Sequence, residues 1–181
     1  MNNRLPNNYR MLSKGIICLC FTGLLLVQSS CKVGYSFTGA SISPDVKTFT
    51  IQNFPNNASL VVPTLSRTFS DAVRDYFTSQ TNLRLVDRNG DLVIDGVISG
   101  YAVTPIAIQG NETAALNRLT ITVVIKFTNH KNEKQNFENK SFSRYEDYPS
   151  SQSLSTVQDQ LISDITDLLV KDIFNSTVVN W

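Results

Sequence analysis

Leu119, Ile121, Val123, Ile125 and Phe127 place an apolar side chain at every second position, with Thr120, Thr122 and Lys126 between them. Successive side chains of a strand point to opposite faces, so this run has one face to bury and one that tolerates water. Only Val124 breaks the polar series. A fold containing such a strand must therefore cover one side of a sheet, and the chain carries two segments able to do so. Leu65, Phe69, Ala72, Val73, Tyr76 and Phe77 form one helical stripe, with Arg67, Ser70, Asp71, Arg74 and Asp75 off it. Val157, Leu161, Ile165, Leu168, Leu169 and Ile173 form a second. Aromatic residues at this spacing are core material before they are a ligand box.

The remaining elements follow from punctuation. Val46 to Ile51 is dense in β-branched residues and reads as a strand closed before Asn53, with Phe54-Pro55-Asn56-Asn57 as a turn. Pro63 is placed to open the first helix. Leu83, Leu85 and Val86 lead into Asp87-Arg88-Asn89-Gly90-Asp91, which reads as a hairpin turn. A long strand follows from Leu92 past Tyr101, where Pro105 demands an edge or a bulge. Asn129 to Lys134 is a polar hairpin turn. In the next strand Phe137 and Phe142 have opposite parity, so a bulge near Asn139-Lys140 is expected to bring both to one face. Ser155 and Gln158 have the spacing of a capping box for the last helix, with Leu154 as its staple. The order is β-α-β-β-β-α, an α+β fold with two helices packed on one face of a four-stranded mixed sheet.

The N-terminal segment obeys different rules. Arg4, Arg10 and Lys14 precede an apolar run from Ile16 to Val27, and no acidic residue occurs before Cys31. A spanning helix needs about 20 apolar residues, so this run suits a cleaved export signal better than a permanent anchor. Translation from Met1 or from Met11 gives the same reading. Gln28-Ser29-Ser30 then lead to Cys31, with small residues directly before the cleavage point. The segment resembles a bacterial lipobox, with Gln28 where leucine is usual. Residues 1–30 are thus expected to be a signal peptide cut between Ser30 and Cys31. Residues 31–45 would be a tether lipidated on Cys31, and residues 46–181 a single domain. Several acyl chains on one cysteine hold a protein to a membrane effectively permanently.

Composition excludes several activities. Beyond Ser30 there are thirteen basic against fifteen acidic side chains, a net charge of −2, with no basic run to attract nucleic acid. Cys31 is the only cysteine past the leader, so neither an internal disulfide nor a thiolate metal cluster is available. His130, the only histidine, falls in the charged hairpin turn, which removes the usual base of a nucleophilic triad. Asp87, Asn89 and Asp91 begin like a calcium loop, but the glycine and the closing acid are misplaced. Glu146 and Asp147 are strand neighbours whose carboxylates point apart. No enzyme, metal site or cofactor emerges.

Four stretches carry a resemblance: YSFTGASISPDVKTFTIQNFPNN (Tyr35 to Asn57), GNETAALNRLTITVVIKFTN (Gly110 to Asn129), FSRYEDY (Phe142 to Tyr148) and DIFNSTVVNW (Asp172 to Trp181). Across them the chain resembles the LPS-assembly lipoprotein (LptE) family in its Bacteroidetes form. The resemblance implies a two-helix, four-stranded sandwich, in agreement with the order read from the residues. It further implies an outer-membrane lipoprotein that plugs the LptD β-barrel, assists its assembly and helps deliver lipopolysaccharide to the outer leaflet. A surface rich in Asn, Ser, Thr and Gln suits a polar barrel lumen. Arg118, Lys126 and Arg144 are candidate contacts for lipopolysaccharide anions. Partner contacts are expected in the loop Gly110 to Asn117 and at Trp181. A lipid-anchored periplasmic adaptor of another envelope or secretion complex is the alternative these residues leave open.

Overall fold

The computed structural model describes residues 42–60, 62–106 and 115–179. The strands are β1 (Thr48–Ile51), β2 (Arg84–Leu85), β3 (Leu92–Ile106), β4 (Leu116–Asn129) and β5 (Phe137–Pro149). The helices are α1 (Leu65–Gln80) and α2 (Leu154–Phe174), the latter prolonged by one π-turn over Asn175–Val179. One mixed sheet has the order β2-β1-β3-β4-β5, with β1 parallel to both neighbours and β3, β4 and β5 antiparallel in sequence. The class is the expected α+β sandwich with five strands instead of four. The addition is the two-residue β2, whose pairing among the described residues is a parallel one with Thr48 and Phe49. Two residues show no periodicity, so the sequence gives β2 no signal.

This pairing also corrects the reading of Asp87 to Asp91. β2 and β3 flank β1 on opposite sides, so the segment between them is a crossover and no hairpin turn. Thr50 holds it in place: its hydroxyl donates to the Val86 carbonyl at 3.0 Å and accepts from the Gly90 N–H at 3.0 Å. A Cβ on Gly90 would stand 2.6 Å from the Phe49 carbonyl carbon, which explains the glycine. Asn89, at φ 56°, supplies the left-handed turn beside it. Asp91 completes the clasp. Its carboxylate accepts from the main-chain N–H groups of Lys47 (2.9 Å) and Thr48 (3.0 Å) and from the Thr48 hydroxyl (2.9 Å), and pairs with Lys131 at 3.0 Å. The Lys47 N–H above all holds this carboxyl far below the ordinary carboxylate range, against the opposing effect of its partial burial.

Both helices cover the same side of the sheet. Phe49, Ile94, Ile98, Leu119, Ile121, Val123, Ile125 and Phe127 meet Leu65, Phe69, Val73 and Phe77 of α1 and Leu161, Ile165, Leu169 and Ile173 of α2 in one core. Phe77 links the layers, its ring 6.0 Å from Phe49 and 5.1 Å from Phe174. Ser70, off the apolar stripe, is nevertheless buried: its hydroxyl accepts from the Phe54 N–H and donates to the Ser66 carbonyl. Ser66 in turn donates to the Phe54 carbonyl, so two serines fasten the chain leaving β1 to α1. Pro63 lies in the turn before α1, which starts at Leu65. The expected capping box of Ser155 and Gln158 does not form, and no side chain caps the N-terminus of the helix. Ser153 is the N-cap of α2, and its hydroxyl engages those of Ser155 and Thr156.

The expected bulge in β5 is present. Ile125 pairs with Lys140 but Phe127 with Phe137, and Asn139 adopts φ 56°, so both phenylalanines reach the core side. A second bulge interrupts β3 between Ile98 and Gly100, which lets Tyr101 continue the buried face. Pro105 pairs with Asn117 on one side only, since β1 ends opposite Ile94. That is the local edge its missing donor requires.

Candidate functional site: the open face of the sheet

The face turned away from the helices is built by the residues between the core positions. Along β4 it presents Arg118, Thr120, Thr122, Val124 and Lys126. Opposite them lie Asp147, Tyr145, Ser143 and Ser141 of β5, and Thr104, Ala102, Gly100, Val97 and Asp95 of β3. The centre carries no charge, and its side chains are short. Thr122 and Ser143 share a hydroxyl–hydroxyl bond of 3.0 Å. Such a surface hydrogen-bonds at many points, and its hollow beside Asp95, Val97, Val124 and Lys126 is small, about 150 Å³.

Charges close the two ends. At one, Arg118 forms a fork with Asp147, Nε to Oδ1 at 2.8 Å and Nη2 to Oδ2 at 2.9 Å, while its guanidinium carbon lies 3.5 Å from the centre of the Tyr145 ring. The hydrogen bond from Arg118 holds the Asp147 carboxyl below its usual range. At the other end Lys126 pairs with Glu138 at 2.5 Å and stands opposite Asp95.

Arg144 lies elsewhere. It projects to the helix side of β5 and reaches α2, where Asp172 accepts at 2.6 and 2.8 Å. The three cations expected to bind anions therefore sit on two faces, and each is matched to a carboxylate of the chain. An anion binding any of them must displace or share that carboxylate. Glu146 and Asp147 point apart, Glu146 being opposite the core residue Leu119 and Asp147 opposite Arg118. His130 is exposed, and its main-chain N–H donates to the Asp91 carbonyl at 2.9 Å.

Ser30, Cys31 and Trp181 lie outside the described residues, as does the loop from Gly110 as far as Ala114. Among the described residues no cluster of His, Cys, Asp or Glu could hold a metal ion, and no helix is long and apolar enough to cross a membrane. One feature escaped the sequence reading. Leu168, placed on the α2 stripe by its spacing, is 36% exposed and borders a shallow cleft of about 350 Å³ with Arg144, Glu146 and neighbouring β5 residues. No sequence signal separates it from Leu169, because helical periodicity gives an angle and not the width of what covers it.

Residues 46–177 match the family model described as LptE, lipopolysaccharide-assembly. No curated protein sequence matches the chain. Among solved structures it is similar to a minor lipoprotein of Acinetobacter baumannii, with 18% identity, 72% of this chain and 93% of the other covered, and a TM-score of 0.42. The PelC dodecamer of Paraburkholderia phytofirmans aligns with 9% identity over 77% of this chain and 94% of the other, at a TM-score of 0.46. The protein XCC0632 of Xanthomonas campestris aligns with 11% identity over 77% and 90%, at a TM-score of 0.47.

Proposed function

Since this chain belongs to the LptE lipopolysaccharide-assembly family, we propose that it is the lipoprotein subunit of the lipopolysaccharide translocon in the outer membrane. It would be exported, cut behind Ser30 and lipidated on Cys31. Seated within the LptD β-barrel, it would assist assembly of that barrel and serve delivery of lipopolysaccharide to the outer leaflet. The work is binding and positioning, with no chemical step.

One observation carries the reading: the matched residues 46–177 include both helices and the whole sheet. The open face supports it physically. A barrel lumen is lined by polar side chains, and the Thr and Ser hydroxyls of β4 and β5 exchange water for such partners at little cost. An apolar face would not. The ion pairs at its two ends cancel, and Asp95 beside Lys126 leaves a single acid over. Lipopolysaccharide phosphates would engage Arg118 or Lys126 by competing with Asp147 or Glu138, and Arg144 by competing with Asp172.

The test is a pull-down of the tagged full chain from detergent-solubilised outer membranes, with identification of what accompanies it. A large β-barrel recovered in near-equal amount is the expected result. Recovery of unrelated envelope proteins in its place would overturn the reading in favour of an adaptor role. Mass spectrometry of the same preparation reads the N-terminus, where an acylated Cys31 is expected.

A further inference from the structure

β5 is the outer strand of the sheet for thirteen residues, while the opposite edge, β2, has two. The Ser150 N–H donates to the Ala115 carbonyl at 2.9 Å, which makes Leu116 and Pro149 a non-hydrogen-bonded pair. Antiparallel pairs alternate, so the main-chain N–H and C=O groups of Asp147, Tyr145, Ser143 and Ser141 point away from β4. A run of outward donors and acceptors is a template for another strand.

The charges on that edge select the occupant. Of the cations and acids on the helix side of β5, Arg144 is neutralised by Asp172. Lys140 reaches only the Ser176 hydroxyl at 3.2 Å and the Phe137 and Phe142 rings. Glu146 has no cation within ion-pair distance among the described residues. Lys140 and Glu146 lie three residues to either side of Ser143, whose main-chain groups point outward. An antiparallel copy of β5 paired through Ser143 would therefore set Lys140 against the copy's Glu146, twice, and on the same side of the sheet. No like charges would face each other. Phe142 would stand against Arg144, and Ser141 against Tyr145. A register one pair further along, centred on residue 144, would instead oppose two arginines.

We propose that β5 is a self-association edge, on which a second copy of this chain pairs antiparallel about Ser143 to form a ten-stranded sheet of two five-stranded halves. The exposed Leu168 then gains cover, since the cleft it borders runs along the same strand. The inference concerns the isolated chain and stands apart from the lipopolysaccharide reading.

Cysteine cross-linking tests it on the full chain in detergent with copper–phenanthroline as oxidant, Cys18, Cys20 and Cys31 being left in place and the unsubstituted chain serving as the blank. At the two-fold the Cα atoms of a hydrogen-bonded pair are about 5.5 Å apart, within disulfide range. Ser143→Cys should give a disulfide-linked dimer. Ser141→Cys alone should not, because its copies would lie about 14 Å apart, whereas Ser141→Cys with Tyr145→Cys should. Lys140→Glu should reduce the Ser143→Cys dimer at least tenfold, and adding Glu146→Lys should restore it. Equal cross-linking at all positions, or a monomer with no Ser143→Cys dimer, overturns the proposal. Loss of the barrel in the pull-down would leave it untouched.

Discussion

On β4, Leu119, Ile121, Val123 and Ile125 are wholly withdrawn from solvent, while Thr120, Thr122 and Val124 between them remain half-buried on a face that neither helix covers. One strand thus serves two environments, and the division falls between adjacent residues. On the helix side, aromatic and branched side chains from four strands and both helices interlock, and the free energy of folding is concentrated there. On the open side, hydroxyls and paired ions contribute little to folding and so can be spent on a partner. Substitutions on the two faces should therefore separate: stability follows the helix side, and recovery of the barrel follows the open side.

The strongest challenge to that division is Phe77→Ala. Removing the ring that joins Phe49 to Phe174 should cost about 3–5 kcal/mol in urea unfolding. A cost below 1 kcal/mol would show that the layers are not joined there. Gly90→Ala comes next, at about 1–3 kcal/mol, because the new methyl would push the crossover off the backbone of β1.

Asp91→Asn should cost on the order of 1–2 kcal/mol at pH 7 through lost charge-assisted bonds, and its pH dependence is the sharper readout. The folded-state pKa of Asp91 is depressed, so its stabilisation is present above the ordinary carboxylate range near pH 4. It is lost as pH falls through the lower folded value. The gap between wild type and variant should therefore narrow below about pH 4, and a constant gap would mean that the Asp91 charge is irrelevant.

The smallest expected effect on folding belongs to Thr122→Lys. It should change stability by no more than about 0.5 kcal/mol, as surface substitutions do, yet place a charge at the uncharged centre of the open face. Reduced barrel recovery in the pull-down with unchanged unfolding would assign barrel contact to this face. Unchanged recovery would remove this face as the one that meets the barrel.

Much of this architecture was legible in single residues and their spacing. The faces of β4, the helical stripes ending at Phe77 and Ile173, and the bulge at Asn139 are all consequences of local backbone period. Pro105 likewise announced an edge because proline has no N–H to give. The candidate site was less legible. Arg118 and Lys126 were placed on the polar face of their strand by parity, but nothing local revealed that each already had a carboxylate.

Local pattern in the chain was enough for the alternation of β4 and for the two helical stripes, since those properties depend on neighbours a few positions away. Tertiary structure decided the rest through contacts between distant residues. Thr48 and Phe49 recruit Arg84 and Leu85 as a fifth strand. Ser70 becomes buried because Phe54, sixteen residues earlier, needs its hydroxyl. Arg118 finds Asp147 twenty-nine residues on, and Arg144 finds Asp172 twenty-eight on. Register and helix placement choose those partners, and a periodic pattern carries no information about which distant residue will stand opposite.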